Sequence, residues 1–254
     1  GRTAVTLGDP IGPAEDAESA IRGFLDFCRQ NNWMTVFAMA ESDYLDVYRQ
    51  AGYVSMCLGH EGVVELPSFT LKGNAHSTLR KRFNRLTHEG YRIVVGEPPI
   101  SDAILRELRQ ISDEWLEMTH AGEKRFFLAR FDEGYLRQER LVLVYTPEGT
   151  ISAFANLAPE YQRSGLGIDL MRHRRQFESG TMDFLFVSLL FWGRAHGCTT
   201  FNLGLSPLFG VGTRPGAPLM DRILHLIYEH TTFYNFKGLN GFKAKFRPTW
   251  TPLY

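Results

Sequence analysis

The order of segments along this chain predicts a mixed α/β (α+β) fold. Three observations carry that reading. Apolar residues recur at three- and four-residue intervals over stretches such as 15–31 and 101–118, the spacing of a helix with one buried face. Short runs rich in branched and aromatic residues, such as 34–39, 141–145 and 151–158, have strand character. The two kinds of segment alternate from end to end, separated by Gly and Pro turns, as layered sheet-and-helix proteins require.

A Gly-Asp-Pro-Ile-Gly-Pro turn at 8–13 opens into a helix over Glu15–Asn31, with Ala17, Ile21, Phe24, Leu25 and Cys28 on one face. A strand at Met34–Met39 follows, then a helix over Asp43–Gln50 closed near Gly52, and a strand at Val63–Leu66. The stretch 72–92 holds six Lys or Arg against the single acid Glu89, and reads as a basic helix capped by Asn74 or Ser77 and ending at Gly90. Its narrow apolar stripe is Leu79, Phe83 and Leu86; Lys81 and Arg85 stack at i and i+4, a repulsive pair that an anion would relieve. Ser101 caps a core helix reaching Met118 through Ile104, Leu108, Ile111 and Trp115. A hairpin pairs 141–145 with 151–158 around the turn at 147–149. After the segment 167–175, a helix over Thr181–His196 is stopped by Gly197 and followed by a strand at 199–204. A last helix covers Pro218–Tyr228. The tail then reads as a half-buried strand, Lys243, Lys245 and Arg247 on one parity and Phe242, Ala244 and Phe246 on the other, so that three cations form a comb suited to a polyanion.

The chain has 254 residues, 44% hydrophobic, with 28 Lys plus Arg against 28 Asp plus Glu. That composition belongs to a folded globular chain with one large domain or two lobes, and its neutrality excludes a general nucleic-acid binder, leaving local clusters to carry any polyanion contact. Cys28, Cys57 and Cys198 are odd in number and unpaired by spacing, which fits a reduced compartment; Cys57 and Cys198 read as core. The histidines are scattered, so no metal site is expected. The apolar run 184–193 is too short to cross a bilayer, which takes about 20 residues.

Several positions could carry chemistry. Gln162–Gly167 (QRSGLG) fits the Q-x-x-G-x-G pattern that cradles coenzyme A pyrophosphate, provided a helix begins there. Asp169 could hold an ammonium or accept a proton, and Arg172 could hold a phosphate; the alternative is an ion pair between them, and in a plain strand they point to opposite faces, so a bulge or turn is needed for them to cooperate. Asp183 sits where a helix dipole welcomes an acid. Glu229 ends an apolar helix close to the basic tail, where lysines would hold it ionised. His173 and His230 are alternative bases.

Six segments in order, L-G-D-P-I-G at 7–12, L-R-K-R-F-N-R at 79–85, D-L-M-R at 169–172, M-D at 182–183, F-N-L-G at 201–204 and the tail from Asn235, resemble the C-terminal synthase domain of the aminoacyl-phosphatidylglycerol synthases, or multiple peptide resistance factors. The resemblance implies two acetyltransferase-like (GNAT-like) lobes joined by the basic helix, 1–90 and 91–254, the second carrying the active site, with no coenzyme A or other cofactor. It implies transfer of a lysyl or alanyl group from aminoacyl-tRNA to a glycerol hydroxyl of phosphatidylglycerol, on the cytosolic face of the bacterial plasma membrane, within a larger membrane protein. It places Asp169, Glu229 and Arg172 in catalysis. Lys243, Lys245, Arg247, Asp183 and Glu123 would bind substrate, and Arg80, Lys81, Arg85 and Lys237 would meet tRNA or phosphate. Donor identity and oligomeric state are left open. The rival readings are a coenzyme A dependent N-acetyltransferase, a tRNA-dependent peptidyl transferase acting on a cell-wall amine, and a binding module without turnover.

Overall fold

The computed structural model describes residues 2–119, 130–160, 164–230 and 235–254. In chain order the elements are β1 (Arg2–Leu7), α1 (Ala17–Gln30), β2 (Trp33–Ala38), α2 (Leu45–Gln50), β3 (Gly59–Glu65), α3 (Ser77–His88), β4 (Arg92–Gly96), α4 (Asp102–Thr119), α5 (Glu133–Arg137), β5 (Leu141–Tyr145), β6 (Ile151–Glu160), β7 (Gly165–His173), α6 (Thr181–Ala195), β8 (Thr200–Pro207), α7 (Leu219–His230), α8 (Phe236–Ala244) and β9 (Thr249–Leu253). The mixed α/β expectation is met. The chain divides into two compact units: the first takes 1–62, 205–244 and 249–254, the second 63–204 and 245–248. These units are interleaved in sequence, whereas the 1–90 and 91–254 lobes expected above are contiguous.

In the second unit the strand order is β4-β5-β6-β7-β8-β3, antiparallel from β4 to β7 and parallel between β7 and β8. Leu141 to Val144 are all buried, as are Ile151 to Leu157, the near-continuous apolar pattern of strands covered on both faces. Leu141, Leu143, Ile151 and Phe154 join Leu105, Leu108 and Ile111 of α4 in one cluster. Strand alternation turns Val142 and Val144 the other way, and α6 packs against these same strands. Each fully buried side chain of this size contributes about 2 kcal/mol. Gly180, in the left-handed region at φ +95°, starts α6; an added Cβ there would meet the Arg82 side chain at 3.2 Å, so both conformation and space call for glycine.

Helix α3 packs on α6 through Phe83, stacked on Phe184 at 5.2 Å and edge-on to Phe191 at 5.9 Å. Its expected caps are corrected: His76 stands at the N-cap and no side chain closes the turn, Asn74 accepting from the Ser77 N–H only through its backbone carbonyl.

In the first unit β1 and β2 form a two-stranded parallel sheet, Val5 opposite Val36, backed by α1. Ile21, Leu25, Ala40, Leu45 and Tyr48 make its small core. Cys28 is buried, whereas Cys57 and Cys198 are half-buried rather than core. Leu58 N–H donates to Leu253 O at 2.8 Å, placing β9 within this unit. The tail does not form the expected comb. Residues 236–244 are helix α8, Arg247 turns at φ +53°, and the strand starts only at Thr249. The reason lies in a competing period: Phe236, Leu239, Phe242 and Phe246 recur at three- and four-residue steps, and that helical spacing outweighs the local alternation.

Candidate active site

The β7 bulge brings the two most chemical residues of the sequence to one side of the sheet. Between the pairs Ala155–Met171 and Leu157–Ile168 the register shifts, with two residues of β7, Asp169 and Leu170, opposite the single Asn156. Asn156, fully buried, accepts the Leu170 N–H through Oδ1 at 2.6 Å, so its side chain replaces the ladder bond the bulge breaks. Its Nδ2 then donates to Tyr135 Oη at 3.2 Å, and Tyr135 donates to Asp169 Oδ2 at 3.4 Å. Burial, with the Asp169 charge second, pushes the Tyr135 phenol up to about 12, so it stays a neutral donor at working pH.

Arg172, one pleat further along, is buried at 3% exposure; it donates to the Ser112 hydroxyl and lies over the Trp115 ring at 5.2 Å. Asp169 thus meets α5 and Arg172 meets α4, two helices that pack together, and the bulge required for both to face one layer is present. Arg172 is held by α4 rather than presented on the surface as a phosphate fork. Asp169 is half-buried. Next to it, Arg174 locks the frame: it donates to Ile151 O at 2.7 Å, to Glu114 at 3.0 Å and to Glu107 at 3.0 Å, while Glu107 also accepts the Ile151 N–H at 2.9 Å.

A second cluster forms at the start of α6. Asp183, 2% exposed, pairs with Arg82 on one oxygen and with Lys245 Nζ at 2.7 Å on the other. The helix terminus favours the acid, as expected, but two cations close it. Arg85 pairs with Glu89 at 3.0 Å and Glu178 at 2.9 Å and donates to Ser179 O at 2.5 Å; Arg80 donates to the carbonyl of Gly73 at 2.7 Å and to that of Leu71. The basic helix is therefore corrected from a phosphate-facing surface to a packing helix whose arginines are engaged by Asp183, Glu89, Glu178 and backbone carbonyls, leaving Lys81 exposed.

In the first unit Lys243 is buried at 5% exposure and donates to Leu205 O at 2.8 Å; burial lowers its pKa to about 8, with Glu61 pulling the other way. Glu229 is exposed and paired with Lys237 at 2.7 Å, which holds its carboxyl below the usual range, the direction expected from sequence. Arg247 is exposed. Lys243, Lys245 and Arg247 thus meet three different environments instead of sharing one face. Glu123 lies outside the described residues, as do Gln162 and Arg163 of the QRSGLG segment. From Gly165 that segment is strand β7, not the helix start a pyrophosphate cradle needs, so the coenzyme A motif is not built there. Among the described residues, no group of three or more His, Cys, Asp or Glu could hold a metal ion. The sequence reading missed Tyr135, Asn156, Ser112 and Arg174. Only the R-H-R-R run hinted at the last.

Known proteins agree with this architecture. The chain is 39% identical over its full length to the phosphatidylglycerol lysyltransferase of Bacillus subtilis, covering 29% of that protein, and 33% identical over 99% of its length to that of Staphylococcus xylosus, covering 30% of it. It spans under a third of these relatives. The solved L-PGS structure from Bacillus licheniformis superposes with a TM-score of 0.86 at 36% identity, covering 100% of this chain and 77% of that one. The family model described as phosphatidylglycerol lysyltransferase, C-terminal, matches residues 1–254, and the chain belongs to that family.

Proposed function

We propose that this chain is an aminoacyltransferase domain that moves a lysyl group from the ester of lysyl-tRNA to a glycerol hydroxyl of phosphatidylglycerol, at the cytosolic face of the membrane; an alanyl donor is the variant to be tested beside it. Family membership over all 254 residues carries the reading. The contiguous doubled-lobe plan, 1–90 and 91–254, belongs to the same proposal. Chemically the step exchanges one ester for another: the glycerol oxygen attacks the aminoacyl carbonyl, a new C–O bond forms, the bond to the ribose oxygen breaks, and the glycerol proton ends on that leaving oxygen. The ester energy is conserved, so positioning, a proton relay and stabilisation of the oxyanion suffice.

Asp169 fits the proton or ammonium acceptor: it is half-buried at the bulge, and the neutral Tyr135 phenol donates to it at 3.4 Å, fixing its direction. Arg172 acts from behind, fixing the strand and its field through Ser112 and Trp115. Lys81, Arg247, Lys243, and the Lys237–Glu229 pair are proposed singly as contacts to the phosphates or the donor. Arg80, Arg85, Asp183 and Lys245 are engaged within the protein and support the scaffold. The test is transfer of label from lysyl-tRNA and, separately, alanyl-tRNA into lipid extract with phosphatidylglycerol vesicles, with Asp169→Ala as control. Labelled lipid from one donor, absent in the variant, supports the proposal; no labelled lipid from folded protein overturns it.

A further inference from the structure

Helix α7 is turned inside out relative to an ordinary surface helix. None of its residues is buried, and Leu219, Met220, Ile223, Leu226 and Ile227 are 72%, 56%, 43%, 58% and 43% exposed. At the helical rotation per residue these five fall within an arc of about 120°. The opposite side carries Asp221, Leu224, His225 and Tyr228, all half-buried, with the Tyr228 ring 6.5 Å from Phe209 and 6.2 Å from Phe236. A soluble helix normally points its apolar stripe at the core, so a stripe this continuous facing outward marks a surface that another phase or molecule covers.

We infer that this face docks onto an anionic lipid bilayer, seating α7 in the interface plane. The inference rests on the reading that membrane phosphatidylglycerol is the acceptor. Charge placement selects this occupant. Both acids of the helix lie off the arc; Glu229 is already paired with Lys237 at 2.7 Å, while Arg222 borders the apolar stripe and Arg214 stands exposed in the loop before the helix. Apolar residues in the middle with arginines at the margin match acyl chains below and lipid phosphates beside them. RNA offers nothing to five aliphatic side chains, and a second copy would bring the arginines of one stripe against those of another.

The experiment uses the 254-residue chain, sucrose-loaded vesicles of phosphatidylglycerol or of phosphatidylcholine, and two variants at exposed positions, Ile223→Glu/Leu226→Glu and Leu226→Phe. The wild type and Leu226→Phe are expected to co-sediment with phosphatidylglycerol vesicles, and the double variant to lose about tenfold or more in partitioning with an unchanged circular dichroism spectrum. Its transfer to phosphatidylglycerol in vesicles should fall in step, while transfer to dispersed short-chain phosphatidylglycerol stays at the wild-type rate. Equal vesicle partitioning of wild type and double variant overturns the docking inference, as does a double variant that changes only self-association in sedimentation velocity. A wild type that binds vesicles through this face yet transfers to neither form of the lipid overturns the transferase reading and supports docking.

Discussion

Asp183 and Asp169 are both acids of the second unit, and their surroundings are opposite. Asp183 is sealed at 2% exposure between Arg82 and Lys245, each of its oxygens claimed by a cation. Asp169 is half-buried on a bulge, where a neutral phenol donates to it at 3.4 Å. A sealed acid contributes to folding, and a half-buried one can be reached by a substrate. The same residue type, near signature motifs of equal appearance in the sequence, therefore serves stability at one position and, in our proposal, chemistry at the other. Lys243 adds the reverse case: a buried cation that donates to the Leu205 carbonyl and is attracted by the buried Glu61 carboxylate.

The contrast breaks most directly at Asp183. Asp183→Ala leaves Arg82 and Lys245 facing each other and should destabilise the protein by about 3 kcal/mol, the low end for breaking a buried pair because both cations are partly exposed; urea unfolding checks this. If stability is unchanged while transfer is lost, Asp183 belongs with Asp169 instead. Asp169→Asn should do the converse, lowering transfer by about a hundredfold or more, with an unfolding midpoint matching wild type.

Lys243 sharpens the comparison through pH. Burial lowers its pKa from the ordinary 10.5 to about 8, so between those values the unfolded chain binds more protons than the folded one, and stability rises with pH across that window. Below pH 8 the folded state bears the full cost of a buried ammonium. Lys243→Met should therefore lose this rise: between about pH 8 and 10.5 wild type gains stability relative to the variant, measured by thermal melts across pH. Tyr135→Phe removes the donor to Asp169 and the acceptor for Asn156, and should slow transfer about three- to tenfold. At the bottom of the scale, Glu229→Gln should leave the melting temperature unchanged, since its pair with Lys237 is exposed to water; a large loss of transfer there would give Glu229 a role that pairing does not explain.

Much of the fold was readable because burial writes a period into the sequence. Helices α1 and α4 and the hairpin of β5 and β6 follow their apolar spacing closely. Helix α6 was read from its bounds and composition, since both its ends are marked by glycine. Strand β1 escaped because Val5 and Leu7 face outward and only short residues face in. The tail misled for a definite reason: alternation over six residues and helical spacing over eleven coexist, and the longer period won. Of the candidate site, Asp169 and Arg172 were singled out from the sequence, and the bulge needed to bring them to one face is present. What could not be read was which cations are already engaged. Arg80, Arg82 and Arg85 count as free charge in a sequence, and only the fold brings Asp183, Glu178 and the backbone carbonyls of 71 and 73 to them.

The bulge in β7 also sets a rule of phase. With one residue too many between Ile168 and Met171, the two flanks of the strand keep a single alternation because the surplus is set aside in the bulge. Deleting Leu170 would restore plain alternation with both flanks still in phase, leaving Asp169 and Arg172 two residues apart on one face, at the cost of a buried side chain and of the N–H that Asn156 accepts. Removing two residues would leave the strand one short, and the face of everything on one side of the gap would flip. The bulge thus gives β7 a spare residue: one deletion there keeps Asp169 and Arg172 in phase, and a second loses it.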